Sequence, residues 1–77
     1  MLRYDIHRLE SIDRLIRIKG TGTPQCFAKK LGISERTLYE YLAYMKELGA
    51  PIEYNKFKGS YYYTEQGGFN FHFQGFS

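Results

Sequence analysis

The sequence predicts an α+β fold that is mainly α, in which three helices precede a β-hairpin and one extra C-terminal strand. Apolar residues recur at three- and four-residue spacing as far as residue 48, which is typical of amphipathic helices. After the Gly-Ala-Pro segment at 49–51, short aromatic runs separated by turn residues indicate strands. The length of 77 residues predicts a single domain over residues 1–77.

The first helix is predicted over about residues 5–19. Its apolar stripe consists of Ile6, Leu9, Ile12 and Ile16, with Leu15 on the flank. Gly20 and Gly22 are expected to end this helix, because glycine tolerates the left-handed conformation common at helix C-termini.

Capping residues delimit two further helices, predicted over about residues 24–31 and 35–48. Thr23 and Pro24 begin the second helix as an N-cap hydroxyl and a first-position proline, and Ser34 is the N-cap of the third. Their inward stripes are Phe27, Ala28 and Leu31 in the second helix, and Leu38, Tyr41, Leu42, Met45 and Leu48 in the third.

The remaining chain predicts strands. A hairpin over about residues 52–64 has a basic tip at 55–59, and a strand follows over about 69–73. Strict alternation places Phe69, Phe71 and Phe73 on one face of that strand. Two interpretations stay open: the strand joins the hairpin sheet and covers the first helix, or it pairs with a second copy as a homodimer interface.

Composition excludes several classes of function. A single cysteine, Cys26, forms no internal disulfide and has no catalytic context, so we expect a small, partly buried side chain. Two histidines far apart in sequence give no metal-ligand spacing, and no nucleophile motif or phosphate loop is present. We therefore expect no enzyme, no cofactor and no metal. No apolar run is long enough for a signal peptide or a membrane span, which predicts a cytoplasmic protein.

The net charge of +3 is unevenly distributed. Residues 1–33 carry seven basic and three acidic side chains, for a charge of +4. Residues 34–48 carry two basic and three acidic ones, for −1, and residues 49–77 carry two of each. The basic excess therefore lies on the first two helices and not on the third.

The second and third helices are joined by a very short turn and fit a helix-turn-helix motif. Ala28, Gly32 and Leu38 follow the pattern Ala-x3-Gly-x5-Leu. Alanine lets two helices cross closely, glycine turns the chain in a left-handed conformation, and leucine fills the angle between the helices. A generic helical hairpin is the alternative.

The stretch from Leu31 to Tyr39, together with that from Leu48 to Ile52, resembles the helix-turn-helix domain of DeoR-like and WYL-domain bacterial regulators. The biotin-ligase repressor domain is a more distant relative. The resemblance covers about residues 6–63 and implies a winged helix, with the third helix in the major groove and the hairpin wing on the adjacent backbone or minor groove. At Glu40 and Tyr41 the chain departs from the family, which commonly has a basic and then an acidic residue there.

Ten residues are candidates for contact with double-stranded DNA. They are Ser34, Arg36, Thr37, Tyr39 and Glu40 on the third helix, Gln25, Lys29 and Lys30 on the second, and Lys56 and Lys58 on the wing. Arg36 is suited to grip guanine with two hydrogen bonds, and the alternative is a surface pair with Glu40. Glu40 is able to accept a hydrogen bond from cytosine. For the other candidates there are also alternatives to DNA contact: Ser34 only caps the helix, Tyr39 packs beside the core, and the lysines are solvated.

The sequence therefore predicts sequence-specific binding to double-stranded DNA, as a small bacterial transcriptional regulator. The alternative is a winged helix that has lost DNA contact and serves as a protein-interaction module, which the charge of −1 on the third helix favours. A homodimer, through the Phe69-Phe71-Phe73 strand or another surface, would suit a palindromic operator.

Overall fold

The computed structural model describes residues 4–65, 67–70 and 72–75, of which 68–70 and 72–75 are described by their backbone alone. In this part of the chain, three helices and four strands follow one another: α1 (Ile6–Arg17), α2 (Pro24–Leu31), α3 (Glu35–Glu47), β1 (Ile52–Asn55), β2 (Ser60–Tyr63), β3 (Gly67–Asn70) and β4 (His72–Gly75). The predicted fold class is confirmed, since three helices precede an antiparallel hairpin in a mainly helical α+β winged helix.

All three helices end in the same kind of turn, in which one residue takes a left-handed conformation. In α2 and α3 that residue is a glycine, Gly32 or Gly49. In α1 it is Lys19, with φ of 56°, and the Gly20 N–H then donates to the Leu15 carbonyl at 2.9 Å. The expectation that glycine would supply this conformation in α1 was therefore wrong by one position. A residue with a side chain in this left-handed conformation lowers the stability of the fold by about 1–2 kcal/mol.

One apolar core joins the three helices to the hairpin. Its buried members are Leu9, Ile12, Ile16, Phe27, Ala28, Leu38, Tyr41, Leu42, Met45, Ala50, Ile52 and Tyr61. The inward stripes predicted from helical spacing supply most of this set. Phe27 is fully buried, and its ring centre lies 5.7 Å from that of Tyr61, which ties the motif to the hairpin.

The hairpin of β1 and β2, which forms the wing, is joined to the helices by buried polar contacts. Thr21 lies in the loop between α1 and α2 and is fully buried; its hydroxyl accepts from the Tyr61 N–H at 2.9 Å and pairs with the Ser60 hydroxyl at 3.1 Å. On α1, the Asp13 carboxylate accepts from the Tyr63 hydroxyl at 2.7 Å and pairs with Arg17 at 3.2 Å. These contacts place the wing beside α1.

The C-terminal segment differs from the expectation. Instead of one strand over 69–73, β3 and β4 pair with each other, with Phe69 opposite Phe73, as a second sheet separate from the wing. Alternation determines which face an extended residue takes, but it does not determine where the chain reverses. β3 lies against α1, whereas Phe71 and the side chains of Phe69 and Phe73 lie outside the described residues.

Candidate nucleic-acid interface

The N-terminal end of α3 is built by its cap. The Ser34 hydroxyl accepts from the Thr37 N–H at 3.1 Å and pairs with the Thr37 hydroxyl at 3.0 Å. This cap satisfies one of the free N–H groups at the start of the helix. Ser34 is exposed and Thr37 is half-buried, so both hydroxyls lie at the surface beside the first turn.

The outward row of α3 consists of Arg36, Glu40, Ala43 and Glu47, all exposed. The sequence left open whether Arg36 pairs with Glu40. Among the described residues, the ion pairs within 4.0 Å are His7–Glu10 and Arg17–Asp13. The Arg36 guanidinium therefore lies in the first turn of α3 with no carboxylate partner there. A guanidinium in this position can bind a planar acceptor pair with two hydrogen bonds.

Tyr39 lies where α3 faces the wing. Its side chain is 49% exposed and lies beside the buried Tyr61. Burial, together with the neighbouring Tyr39 and Tyr54, raises the pKa of Tyr61 to about 12. Tyr39 also lines a concavity of about 440 Å³ between α3 and β1, together with Lys46 and Lys56. Tyr39 thus lies beside the edge of the core with about half of its side chain exposed.

The candidates on α2 divide into two groups. Gln25 and Lys29 are exposed and make no side-chain hydrogen bond within the described ranges. Lys30 behaves differently, because its ammonium donates to the Gly20 carbonyl at 2.6 Å and so holds α2 against the end of α1. Lys30 also lines a groove between α1 and α2 with Arg8 and Arg14. The structure therefore gives Lys30 an intramolecular role.

The wing tip lies between β1 and β2. Lys56 and Lys58 are exposed there, on either side of a fully exposed Phe57. The Asn55 side chain accepts from the N–H groups of Phe57 and Lys58, at 2.9 and 3.0 Å. These bonds fix the backbone from which the two ammonium groups project.

Two lysines near the wing were missed by the sequence reasoning. Lys46 shares the concavity of Tyr39 and Lys56, and its place seven residues after Tyr39 is a usable signal, since two helical turns return to the same face. Lys19 lines a second cavity of about 250 Å³ with Asn55 and Lys58. No local pattern indicates this second grouping, because it depends on how α1 lies against the wing.

Among the described residues, no group of three His, Cys, Asp or Glu side chains is placed to hold a metal ion, and no helix is long and apolar enough to cross a membrane. Cys26 is exposed, so the expectation of a partly buried thiol was wrong. Phe27 and Ala28 take the inward positions of α2, and a helix turns each neighbouring residue by about 100°. Cys26 is therefore rotated toward solvent.

Comparison with known protein families matches residues 7–62 to HTH_11, described as an HTH domain. The match runs from the first turn of α1 to β2 and so includes the motif and the wing. Searches of curated proteins and of solved structures found no match. An HTH domain implies DNA as the partner, and such domains are typically non-enzymatic. The match covers well over half of the 77 residues, and the chain belongs to the HTH domain family.

Proposed function

We propose that this protein binds double-stranded DNA in a sequence-specific manner, as a small bacterial transcriptional regulator. The observation that carries the proposal is the free Arg36 guanidinium in the first turn of the exposed α3 face, within an HTH domain. The first turns of a recognition helix are the part that reaches base edges in the major groove.

Base readout falls to the side chains of the first two turns of α3. Arg36 is suited to donate two hydrogen bonds to guanine, whose O6 and N7 acceptors lie side by side in the major groove. Glu40 lies one turn further along the same exposed row and is able to accept from the amino group of cytosine. Together, these two side chains would read one guanine and one cytosine from positions one helical turn apart on α3.

Phosphate contact falls to groups around α3. Gln25 and Lys29 are free on α2, where the first helix of the motif crosses the backbone, and Ser34 and Thr37 offer hydroxyls at the start of α3. The wing contributes Lys56 and Lys58. Lys46 and Lys56 share the concavity of Tyr39 with Glu53, and the remaining positive charge partly offsets the carboxylates of α3 near a polyanion.

The test uses a duplex selected by the protein from a random pool. We expect Arg36→Ala to weaken binding to the selected duplex by about 1–3 kcal/mol and to leave binding to a scrambled duplex nearly unchanged. Lys29→Gln is the matched control: it should weaken both duplexes alike and lower the salt dependence by about one phosphate contact. Gel shifts at two salt concentrations measure both effects. Failure to select any duplex at low salt would contradict the proposal.

A protein-interaction module is the second candidate, favoured by the three exposed carboxylates of α3 at Glu35, Glu40 and Glu47. Such a face repels phosphate and attracts a basic partner surface. Capture of one defined basic protein, abolished by Glu40→Lys, together with no duplex binding at low salt, would establish this function in place of the first.

A homodimer would extend the first proposal, because two copies match the two half-sites of a palindromic operator. The backbone of β3 and β4 offers a short sheet for such pairing. Sedimentation at high concentration tests this: a pure monomer, both free and on a palindromic duplex, would contradict it.

A further inference from the structure

Phe57 at the wing tip is the most exposed large apolar side chain among the described residues, with a relative exposure of 102%. Its ring is therefore wholly in water. The next such residues, Ile18 and Tyr39, are 66% and 49% exposed. Phe57 adds nothing to the core, so its whole ring is available for an external contact.

The tip that carries Phe57 is fixed by local hydrogen bonds. The Asn55 side chain accepts from the backbone N–H groups of Phe57 and Lys58, and the Asn55 carbonyl accepts from the Gly59 N–H at 2.8 Å. Gly59 closes this turn with φ of 62°, a conformation that glycine takes without strain. Preorganisation of this kind lowers the entropy lost when the tip binds a partner.

The two residues that flank Phe57 at the tip are both basic. Lys56 and Lys58 flank it, both exposed, and Lys19 lines the same cavity as Lys58. An aromatic ring between two cations complements a partner in which flat apolar groups lie between two rows of negative charge. The minor groove of DNA has this arrangement, with base steps between two phosphate backbones.

We propose that Phe57 is a wedge that enters the minor groove and partly unstacks one base step, while Lys56 and Lys58 contact the phosphates on either side. The inference rests on the proposed DNA binding and adds that the wing produces a local kink in the duplex. Apolar wedges of this kind bend DNA by about 20–90° toward the major groove. Flexible pyrimidine–purine steps are the cheapest to deform, so they are the expected position.

A fluorescent base reports the wedge directly. The selected duplex is made as a series in which 2-aminopurine replaces adenine at successive positions of the flanking minor groove. Unstacking raises the fluorescence of this base. We expect the protein to raise this fluorescence at one or two adjacent positions. A donor and an acceptor dye at the two ends of the duplex measure bending, and we expect energy transfer between them to increase.

Phe57→Ala should abolish both signals and weaken binding on the order of tenfold, as expected for losing one base–aromatic stack. Phe57→Trp should retain them. The salt dependence should be unchanged in both variants, because no charge is removed. Ile18→Ala, which removes the next most exposed apolar side chain, is the matched control and should change neither signal. Because Phe57 makes no core contact, its variants should melt at the wild-type temperature.

The outcomes separate the two proposals. Duplex binding by the wild type with no fluorescence rise at any position, and with unchanged affinity in Phe57→Ala, would overturn the wedge and leave DNA binding intact. Absence of any duplex binding would overturn both. Loss of affinity in Phe57→Ala without unstacking or bending would also overturn the wedge, and would point to a surface contact of the ring instead.

Discussion

The two regions expected to meet DNA, α3 and the wing, differ in how they are attached and in what they present. α3 is held by apolar burial, since Leu38 and Met45 are fully buried in the core. The wing contributes Ile52 and Tyr61 to the same core, and it is also joined to the helices by hydrogen bonds, from the Tyr61 N–H to Thr21 and from the Tyr63 hydroxyl to Asp13. Outward, α3 mixes acidic and basic groups, whereas the wing tip carries two lysines and an exposed aromatic ring.

This difference indicates a division of labour. A helix anchored in the core keeps its side chains in fixed positions, which suits base readout. A basic hairpin with few core residues, joined to the helices partly by polar contacts, suits backbone contact, where position along the sequence matters less. Damage to the core should therefore affect the whole domain, whereas damage to the polar contacts should loosen the wing more than α3.

The largest effect is expected from Leu38→Ala. Removing a fully buried leucine from a small core should lower the free energy of unfolding by about 2–5 kcal/mol, since it leaves a cavity between α2 and α3. Thermal melting followed by far-UV circular dichroism measures it. Leu48→Ala, at a half-buried position just past the end of α3, is the control and should have a smaller effect. Equal losses would show that α3 is not anchored as described.

Thr21→Val tests the attachment of the wing. The shape is kept, but the buried Tyr61 N–H loses its acceptor, which should cost about 1–3 kcal/mol. Amide hydrogen exchange should speed up in β1 and β2 more than in α3, since the bond lost lies between the wing and the α1–α2 loop. Thr64→Val, at an exposed position, should leave exchange unchanged. Uniform acceleration in α3 and the wing would contradict separate attachment.

Alkaline pH should lower the stability of the domain through two tyrosines of the wing. Burial raises the pKa of Tyr61 to about 12, and burial together with the hydrogen bond to Asp13 raises the pKa of Tyr63. Unfolded tyrosine ionises near pH 10, so the unfolded chain releases protons that the folded chain keeps, and stability is lost as pH rises from about 10 to 12. Below about pH 10 this contribution is fully present.

Urea unfolding at pH 9 and pH 11 measures this loss. Tyr63→Phe should reduce the difference between the two pH values, because one of the two raised groups is gone. Tyr62→Phe, the neighbour on β2 whose side chain takes the opposite face, should leave the difference as in the wild type. A wild-type stability that is equal at both pH values would rule out the burial of these hydroxyls.

The smallest effect is expected at Lys19, which ends α1 beside the wing. Lys19→Gly should stabilise the protein by about 0.5–1 kcal/mol, since glycine removes the strain at positive φ but gains freedom in the unfolded chain. Lys19→Ala keeps a Cβ and should give no such gain, although it removes the same charge. A melting temperature that is equal for the two variants would show that α1 ends without strain.

Much of the fold follows from local signals in the sequence. The caps Thr23 and Ser34 and the apolar spacing place α2 at the expected range, and they place α3 within one residue of it. The candidate site follows in part: Arg36 and Glu40 face outward as expected. The role of Lys30 did not follow, because its bond to the Gly20 carbonyl joins residues ten positions apart on different elements. The pairing of β3 with β4 did not follow either, since alternation does not mark a reversal.

The sequence by itself determined where the helices begin, which faces they bury and where the helix-turn-helix motif lies. Caps and periodicity act over three or four residues, so they can be read without a fold. Only the tertiary structure decided that Thr21 and Asp13 hold the wing, that Lys46 joins Tyr39 and Lys56, and that Phe57 is left in water. These contacts connect residues as far as 50 positions apart, and their positions depend on how the helices pack around one core.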